Sequence, residues 1–197
     1  MYDQLHAFAT RLSRYAAWLG GAMMLFAALM VSADVLARRL FGLTMGGSDE
    51  ISGYLFAIAT SLAFPYALLT RSNVRIDAAY ALLHPHVRAA LDLLAIICMA
   101  LFSALVTWRA VLAVGETWNS GARAITPLQT PLIFPQSLWL TGWIALCLCA
   151  LLVLWGVAAA LLRGDLRRAS ELAGAMTQEE EIAAETGTIT IAQRKEA

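Results

Sequence analysis

Residues 51–70 read ISGYLFAIATSLAFPYALLT and contain no charged side chain. The hydrocarbon core of a bilayer is about 30 Å thick, and an α-helix rises about 1.5 Å per residue. A helix of about 20 apolar residues is therefore long enough to cross a membrane. This segment predicts a transmembrane helix, with lipid as the solvent around it.

Three more apolar stretches flank this segment, at residues 15–36, 91–114 and 137–162. The whole chain is 60% hydrophobic and 14% charged, whereas a soluble domain is roughly 45–50% apolar and about 25% charged. The sequence therefore predicts an all-α integral membrane protein with four transmembrane helices. A cleaved signal peptide is the alternative for the first stretch, but the apolar core of such a peptide spans only about 7–15 residues.

The distribution of Lys and Arg predicts the orientation. If the N-terminus is cytoplasmic, ten of these residues lie inside and three outside, with Arg109 in the membrane. Because cytoplasmic loops carry an excess of basic residues, both termini are predicted to be cytoplasmic. Residues 1–14 then form a cytoplasmic N-terminal segment. Residues 169–197, where apolar periodicity fades, are predicted to be a flexible cytoplasmic tail.

Residues 76–84, between the second and third stretches, have an amphipathic pattern. Ile76 and Tyr80 recur at helical spacing, while Asp77 falls on another face. This pattern predicts a helix that lies in the membrane interface. Pro85 should end it and begin the next helix, because proline suits the first turn of a helix but not its interior.

Two ionisable residues fall inside or at the edge of the predicted spans. Asp34 lies about 30 Å of helix beyond Arg14, and Arg109 lies about 25 Å beyond Asp92, so both reach a similar outer depth. A structural ion pair between Asp34 and Arg109 is therefore one hypothesis. The alternative is local: Arg38, one turn later, pairs with Asp34, and Arg109 extends to the outer interface.

Asp49 and Glu50 directly precede the second span and follow Ser48. Carboxylates at this position favour the positive end of a helix dipole, and a serine before them can cap the helix. On the outer side they could also contact a soluble partner. The sequence leaves both interpretations open.

Other classes of function lack their usual residues. The charges balance at 14 basic and 14 acidic residues, which gives no basic excess for nucleic acid. The three cysteines lie in apolar runs, and no phosphate loop, nucleophile elbow or zinc-protease motif is present. We therefore expect no enzyme activity, no metal site and no bound cofactor. The three histidines lie outside the predicted spans, which argues against a haem-carrying anchor.

Several short segments occur in a familiar order. They are GSDEISGYLF at 47–56, YALL at 66–69, NVRID at 73–77, and DVLARR at 34–39 followed by Phe41 and Gly42. Together with the proline-rich stretch before the fourth span, they resemble the small membrane subunit (Q-type) of TRAP transporters, the tripartite ATP-independent periplasmic transporters. The resemblance covers residues 16–162. Asn73 and the pair Leu132 and Ile133 depart from the pattern, where a histidine and aromatic residues are expected.

The resemblance implies a subunit of the bacterial inner membrane that binds no substrate itself. Its partners would be a large multi-span permease subunit, which carries the substrate and sodium sites, and a periplasmic solute-binding protein that delivers an organic acid. The residues we expect to contact partners or the interface are Asp49, Glu50, Tyr54, Arg75, Asp77 and Tyr80.

Two other hypotheses belong to different classes. One is a membrane anchor or assembly subunit of a redox enzyme, for which bound haem would be the sign. The other is a self-sufficient small channel or carrier, although such folds usually have broken helices around a polar site at the membrane midplane. Pro65 is the interruption of this kind within the predicted spans, and proline in a membrane helix is often only a kink.

Overall fold

The computed structural model describes residues 2–44, 46–72, 84–165, 168, 169 and 172. Within them the chain forms four helices: α1 Tyr2–Phe41, α2 Ser48–Leu69, α3 Pro85–Ser120 and α4 Ile133–Leu162. Each is long and apolar enough to cross a membrane. The predicted all-α class, with four helices able to span a membrane, is therefore confirmed for the described residues. The orientation of the termini stays a prediction, and the proposed interfacial helix at 76–84 lies, apart from His84, outside the described residues.

The helices extend beyond the apolar stretches. α1 has 40 residues, about 60 Å of helix and twice the thickness of a bilayer core. It begins at Tyr2 because intrahelical hydrogen bonds do not require an apolar sequence, so the polar residues ahead of the membrane segment continue the helix. α3 begins at Pro85, where the missing N–H of proline costs no intrahelical bond.

The chain divides into two compact units. One consists of Met1–Thr70 and Cys98–Leu152, and the other of Arg71–Ile97 and Val153–Ala197. In the second unit, Asp92 is buried on α3 and Val157 on α4. The first unit, here called unit 1, holds α1, α2, the later part of α3 and the earlier part of α4.

α1 contributes a narrow stripe to the interior of unit 1. Its buried residues are Ser13, Gly20, Ala27 and Asp34, spaced seven apart. A repeat of seven keeps one line of an α-helix against its neighbour. The stripe is made of small side chains, which allow membrane helices to approach closely. At Gly20 a Cβ atom would lie 2.8 Å from the backbone oxygen of Ala59 on α2.

α4 approaches α2 in the same way. A Cβ atom at Gly142 would lie 2.5 Å from the Ser61 hydroxyl oxygen of α2. A hydrogen bond also joins α3 to α4: the Thr107 hydroxyl donates to the Trp143 backbone carbonyl at 3.1 Å. The Trp143 ring lies 5.6 Å from that of Phe64, centroid to centroid. Small residues at the helix contacts and hydrogen bonds between helices therefore both contribute to the packing of unit 1.

Candidate functional site at the loop end of unit 1

Three segments of unit 1 meet at one end: the C-terminal end of α1, the N-terminal end of α2, and the loop between α3 and α4. Both loops begin with a glycine in the left-handed region, Gly42 with φ 68° and Gly121 with φ 61°. A side chain is disfavoured there, so these glycines let the chain turn sharply out of a helix. The turns direct each loop back over the end of the neighbouring helices.

Asp34 forms the centre of a polar cluster, here called the Asp34 cluster. Asp34 is about 1% exposed and is one of the buried residues of α1. One carboxylate oxygen, Oδ2, accepts hydrogen bonds from Arg38 at 2.6 Å and from the Ser48 hydroxyl at 3.0 Å. The other, Oδ1, accepts from Thr44 at 3.4 Å. The cluster thus ties α1 to the following loop and to the first residue of α2.

A buried carboxylate is stable only when its charge is compensated and its oxygens are hydrogen-bonded. Arg38 supplies the charge while its own side chain stays 58% exposed, so only one ion of the pair loses its hydration. The N-terminal end of α2 lies beside the carboxylate through Ser48, where a helix dipole favours a negative charge. These contacts account for Asp34 at this depth.

The ion pair of Asp34 is with Arg38, which is the local alternative that the sequence left open. Arg109 is exposed on α3, and no ion pair joins it to Asp34 among the described residues. The structure favours the local pair because a partner one helical turn away needs no particular rotation of a second helix.

The loop between α3 and α4 forms a short hairpin at residues 122–132, here called the loop hairpin. Ala124 donates a backbone hydrogen bond of 3.0 Å to Thr130, and Leu132 donates one of 3.1 Å to Ala122. Its tip is a turn closed by a bond of 3.0 Å from the Gln129 amide to the Thr126 carbonyl. Pro127 stands at the second position of this turn, where its fixed φ is favoured. The proline that excludes a continuous helix therefore also shapes the hairpin.

Glu50 joins the loop hairpin to α2. Its carboxylate accepts a hydrogen bond from the Thr126 hydroxyl at the hairpin tip and one of 2.9 Å from the Tyr54 hydroxyl, one turn further along α2. These three residues, Glu50, Tyr54 and Thr126, are here called the Glu50 cluster. Hydrogen bonds to an ionised acceptor are about twice as strong as neutral ones, so this contact can hold a loop in place.

An apolar contact lies beside the two clusters. Leu128 at the hairpin tip covers Gly47, the residue that precedes α2, and a side chain at Gly47 would collide with it. The hairpin is therefore held to the start of α2 by both a charged and an apolar contact. Ile125, in contrast, is fully exposed at the same tip.

The predicted partner contacts fall into three groups. Glu50 and Tyr54 are engaged with each other and with the hairpin. Asp49 is exposed, and its carboxylate forms no hydrogen bond with the described part of the chain. The remaining three lie outside the described residues: Arg75, Asp77 and Tyr80.

Sequence reasoning missed the residues that complete the clusters. The position of Ser48 would allow it to cap α2, but α2 has no side-chain cap, and the Ser48 hydroxyl bonds Asp34 instead. Thr126 lies 76 residues from Glu50 along the chain, and no pattern in the sequence links them. Only Pro127, as a turn residue, signalled that this loop has a definite conformation.

At this end of unit 1, hydrogen bonds join α1, α2 and the loop hairpin into one structural frame. The carboxylates of Asp34 and Glu50 both accept hydrogen bonds from donors within the chain. Exposed groups such as Asp49 and Ile125 are presented on that frame. The arrangement suits a protein that supports or docks others.

Comparisons with known proteins give one family. The family model described as "Tripartite ATP-independent periplasmic transporters, DctQ component" matches residues 27–160. Neither the curated proteins nor the solved structures gave a match. The matched range contains both clusters, the loop hairpin, all of α2 and α3, and nearly all of α4.

Proposed function

Since the chain belongs to the DctQ component family, the small permease subunits of tripartite ATP-independent periplasmic (TRAP) transporters, we propose that it supports a large permease subunit in sodium-coupled uptake of an organic acid. A periplasmic solute-binding protein delivers that acid, and the complex lies in the inner membrane of a bacterium. The observation that carries this proposal is the family match over residues 27–160, across a chain with four helices able to span a membrane.

We propose that the chain gives structural support to the permease. During transport, one part of a permease moves with the substrate while another part keeps its position in the membrane. The Asp34 cluster and the Glu50 cluster both join segments that are distant in the sequence, which makes this end of unit 1 suitable as a rigid support. Buried polar networks that are fully satisfied restrict a fold to one arrangement.

Partner contacts are proposed at exposed residues. Asp49 is the best placed of the described candidates, because its carboxylate is exposed beside a fixed frame. A basic residue on a partner would complement it. We also propose contacts at Arg75, Asp77 and Tyr80, while Glu50 and Tyr54 serve to hold the frame.

Copurification tests the assignment. The tagged chain would be isolated from its native membrane in mild detergent, and its companions would be identified by mass spectrometry. We expect one large multi-span permease in near-equal amount. Recovery of redox subunits with bound haem would instead support the alternative of an anchor for a redox enzyme.

A transport assay tests the coupling. Uptake of a radiolabelled organic acid into liposomes should require this chain, the large permease, the binding protein and an inward sodium gradient. Omission of any one of the four should reduce uptake to background. Uptake by this chain alone, or uptake without sodium, would contradict the proposal.

Replacement of Asp49 by Asn should weaken the complex without unfolding the chain.

A further inference from the structure

A groove of about 470 Å³ lies between α1 and α2, towards the opposite end of α1 from Asp34. Tyr66 of α2 forms one wall. The residues of α1 that line it include Arg14, Trp18, Gly21, Ala22 and Leu25. The lining is therefore apolar along most of its length, with a guanidinium and a phenol near one end.

The groove is open because of Gly21. A Cβ atom at this position would meet nothing within 4 Å, whereas one at Gly20, the next residue, would collide with the backbone of α2. Trp18, one turn earlier on the same side of α1, is 75% exposed. This face of α1 therefore offers a recess beside a flat aromatic side chain.

The length of the groove limits what can occupy it. From Arg14 to Leu25 is eleven residues of helix, about 16 Å. That distance is about half of the hydrocarbon core, which is the depth of one leaflet. A transmembrane helix of a partner would need a groove along the whole core, while one lipid molecule needs only one leaflet.

The charge of Arg14 indicates which lipid fits. Arg14 directly precedes the apolar stretch that begins at residue 15, so it lies at the level of the lipid headgroups. It forms no ion pair or hydrogen bond with the described part of the chain. A guanidinium binds phosphate through two parallel hydrogen bonds, and basic pockets between membrane helices bind acidic headgroups. Tryptophan and tyrosine are favoured at the same level.

We infer that this groove binds one anionic phospholipid. Its phosphate binds the Arg14 guanidinium, with the Tyr66 hydroxyl as a second donor, and an acyl chain follows the recess over Gly21 to Leu25. The site does not depend on the proposed transport function, since it needs only a bilayer around the chain.

Native mass spectrometry of the full-length chain tests the site. The delipidated protein would be titrated with phosphatidylglycerol or, separately, with zwitterionic phosphatidylcholine. We expect one phosphatidylglycerol to bind more tightly than phosphatidylcholine. R14Q should weaken that binding about tenfold, the loss expected for a charge-assisted hydrogen bond, and R14K should fall in between. Equal affinity for the two lipids would overturn the inference.

Two variants separate a site from general attraction. Arg11 is also exposed and basic at this end of α1 but does not line the groove, so R11Q should retain full binding. G21L should abolish binding because its side chain fills the recess. If R11Q weakens binding as much as R14Q, or if G21L binds normally, the lipid does not occupy the groove.

A crosslink identifies the occupant in the membrane. A photoreactive benzoylphenylalanine in place of Trp18 would be activated in native membranes, and its adducts identified by mass. Phospholipid adducts that disappear when Gly21 is replaced by Leu support the inference. Adducts to a second copy of this chain or to another protein would overturn it.

Discussion

Two adjacent faces of α1 are built from similar residues but differ in what covers them. One face begins at Ser13, passes through Gly20 and ends at Asp34, and each of these residues is buried. The other begins at Arg14 and passes through Gly21, and both are exposed. The two faces are offset by one residue along α1, yet one is a tightly packed contact and the other is an open groove. Composition cannot distinguish the two faces, since each has small residues and one charged residue.

The charged residues of the two faces also differ. Among the described residues, Asp34 accepts hydrogen bonds from Arg38, Thr44 and Ser48. Arg14 has no such partner in the described chain. The first charge therefore serves the fold, and the second is available to something outside it. The position of an ionisable residue along a membrane helix and its charge therefore do not by themselves show whether it stabilises the fold or binds a ligand.

The largest expected effect comes from adding a side chain at Gly20, with Gly21 as the matched control. G20L should destabilise the chain by about 3 kcal/mol or more, because the new side chain must displace the backbone of Ala59. G21L should change stability by less than about 1 kcal/mol, because the space above Gly21 is open. Thermal unfolding in detergent, followed by tryptophan fluorescence, measures both. Equal losses in the two variants would remove the distinction between the faces.

A smaller effect is expected at the charged end of the buried face. D34A removes the acceptor shared by Arg38, Thr44 and Ser48 and should cost about 2 kcal/mol, because the Ser48 hydroxyl is left buried without its acceptor while Arg38 can still hydrate. The matched control is D49A on the exposed carboxylate nearby, which should cost under about 1 kcal/mol. The same unfolding measurement applies. A loss at Asp49 as large as that at Asp34 would show that the cluster does not support the fold.

The smallest effect is expected at the loop hairpin. T126V removes the hydroxyl that binds Glu50 and should cost about 1 kcal/mol, since one hydrogen bond to a carboxylate is lost while the Leu128 contact to Gly47 remains. Hydrogen exchange followed by mass spectrometry should show faster exchange in residues 122–132. T141V serves as the control, because the Thr141 hydroxyl bonds only within its own helix. Unchanged exchange in the hairpin would mean that Glu50 does not hold it.

Individual residues show how far the sequence could be interpreted. Pro85 was expected to start a helix and does so, because its missing donor has a local consequence. Ser48 lies where a serine can cap α2, but its hydroxyl bonds Asp34, because the loop between α1 and α2 brings that carboxylate within reach. The partner of Glu50, Thr126, could not be found in advance because the loop hairpin must first fold over α2.

The amino-acid sequence was sufficient to predict the membrane class, the four helices and the family. The physical reason is that lipid offers no hydrogen bonds to a polypeptide backbone, so a long apolar stretch must become a helix whatever surrounds it. Three features required the folded structure: Gly20 is covered while Gly21 is open, Asp34 pairs with Arg38, and Glu50 binds a hairpin that is distant in the sequence. Each of these features depends on the rotation of a helix about its axis or on the position of a loop over the helix ends. Neither can be calculated from the hydropathy of the sequence.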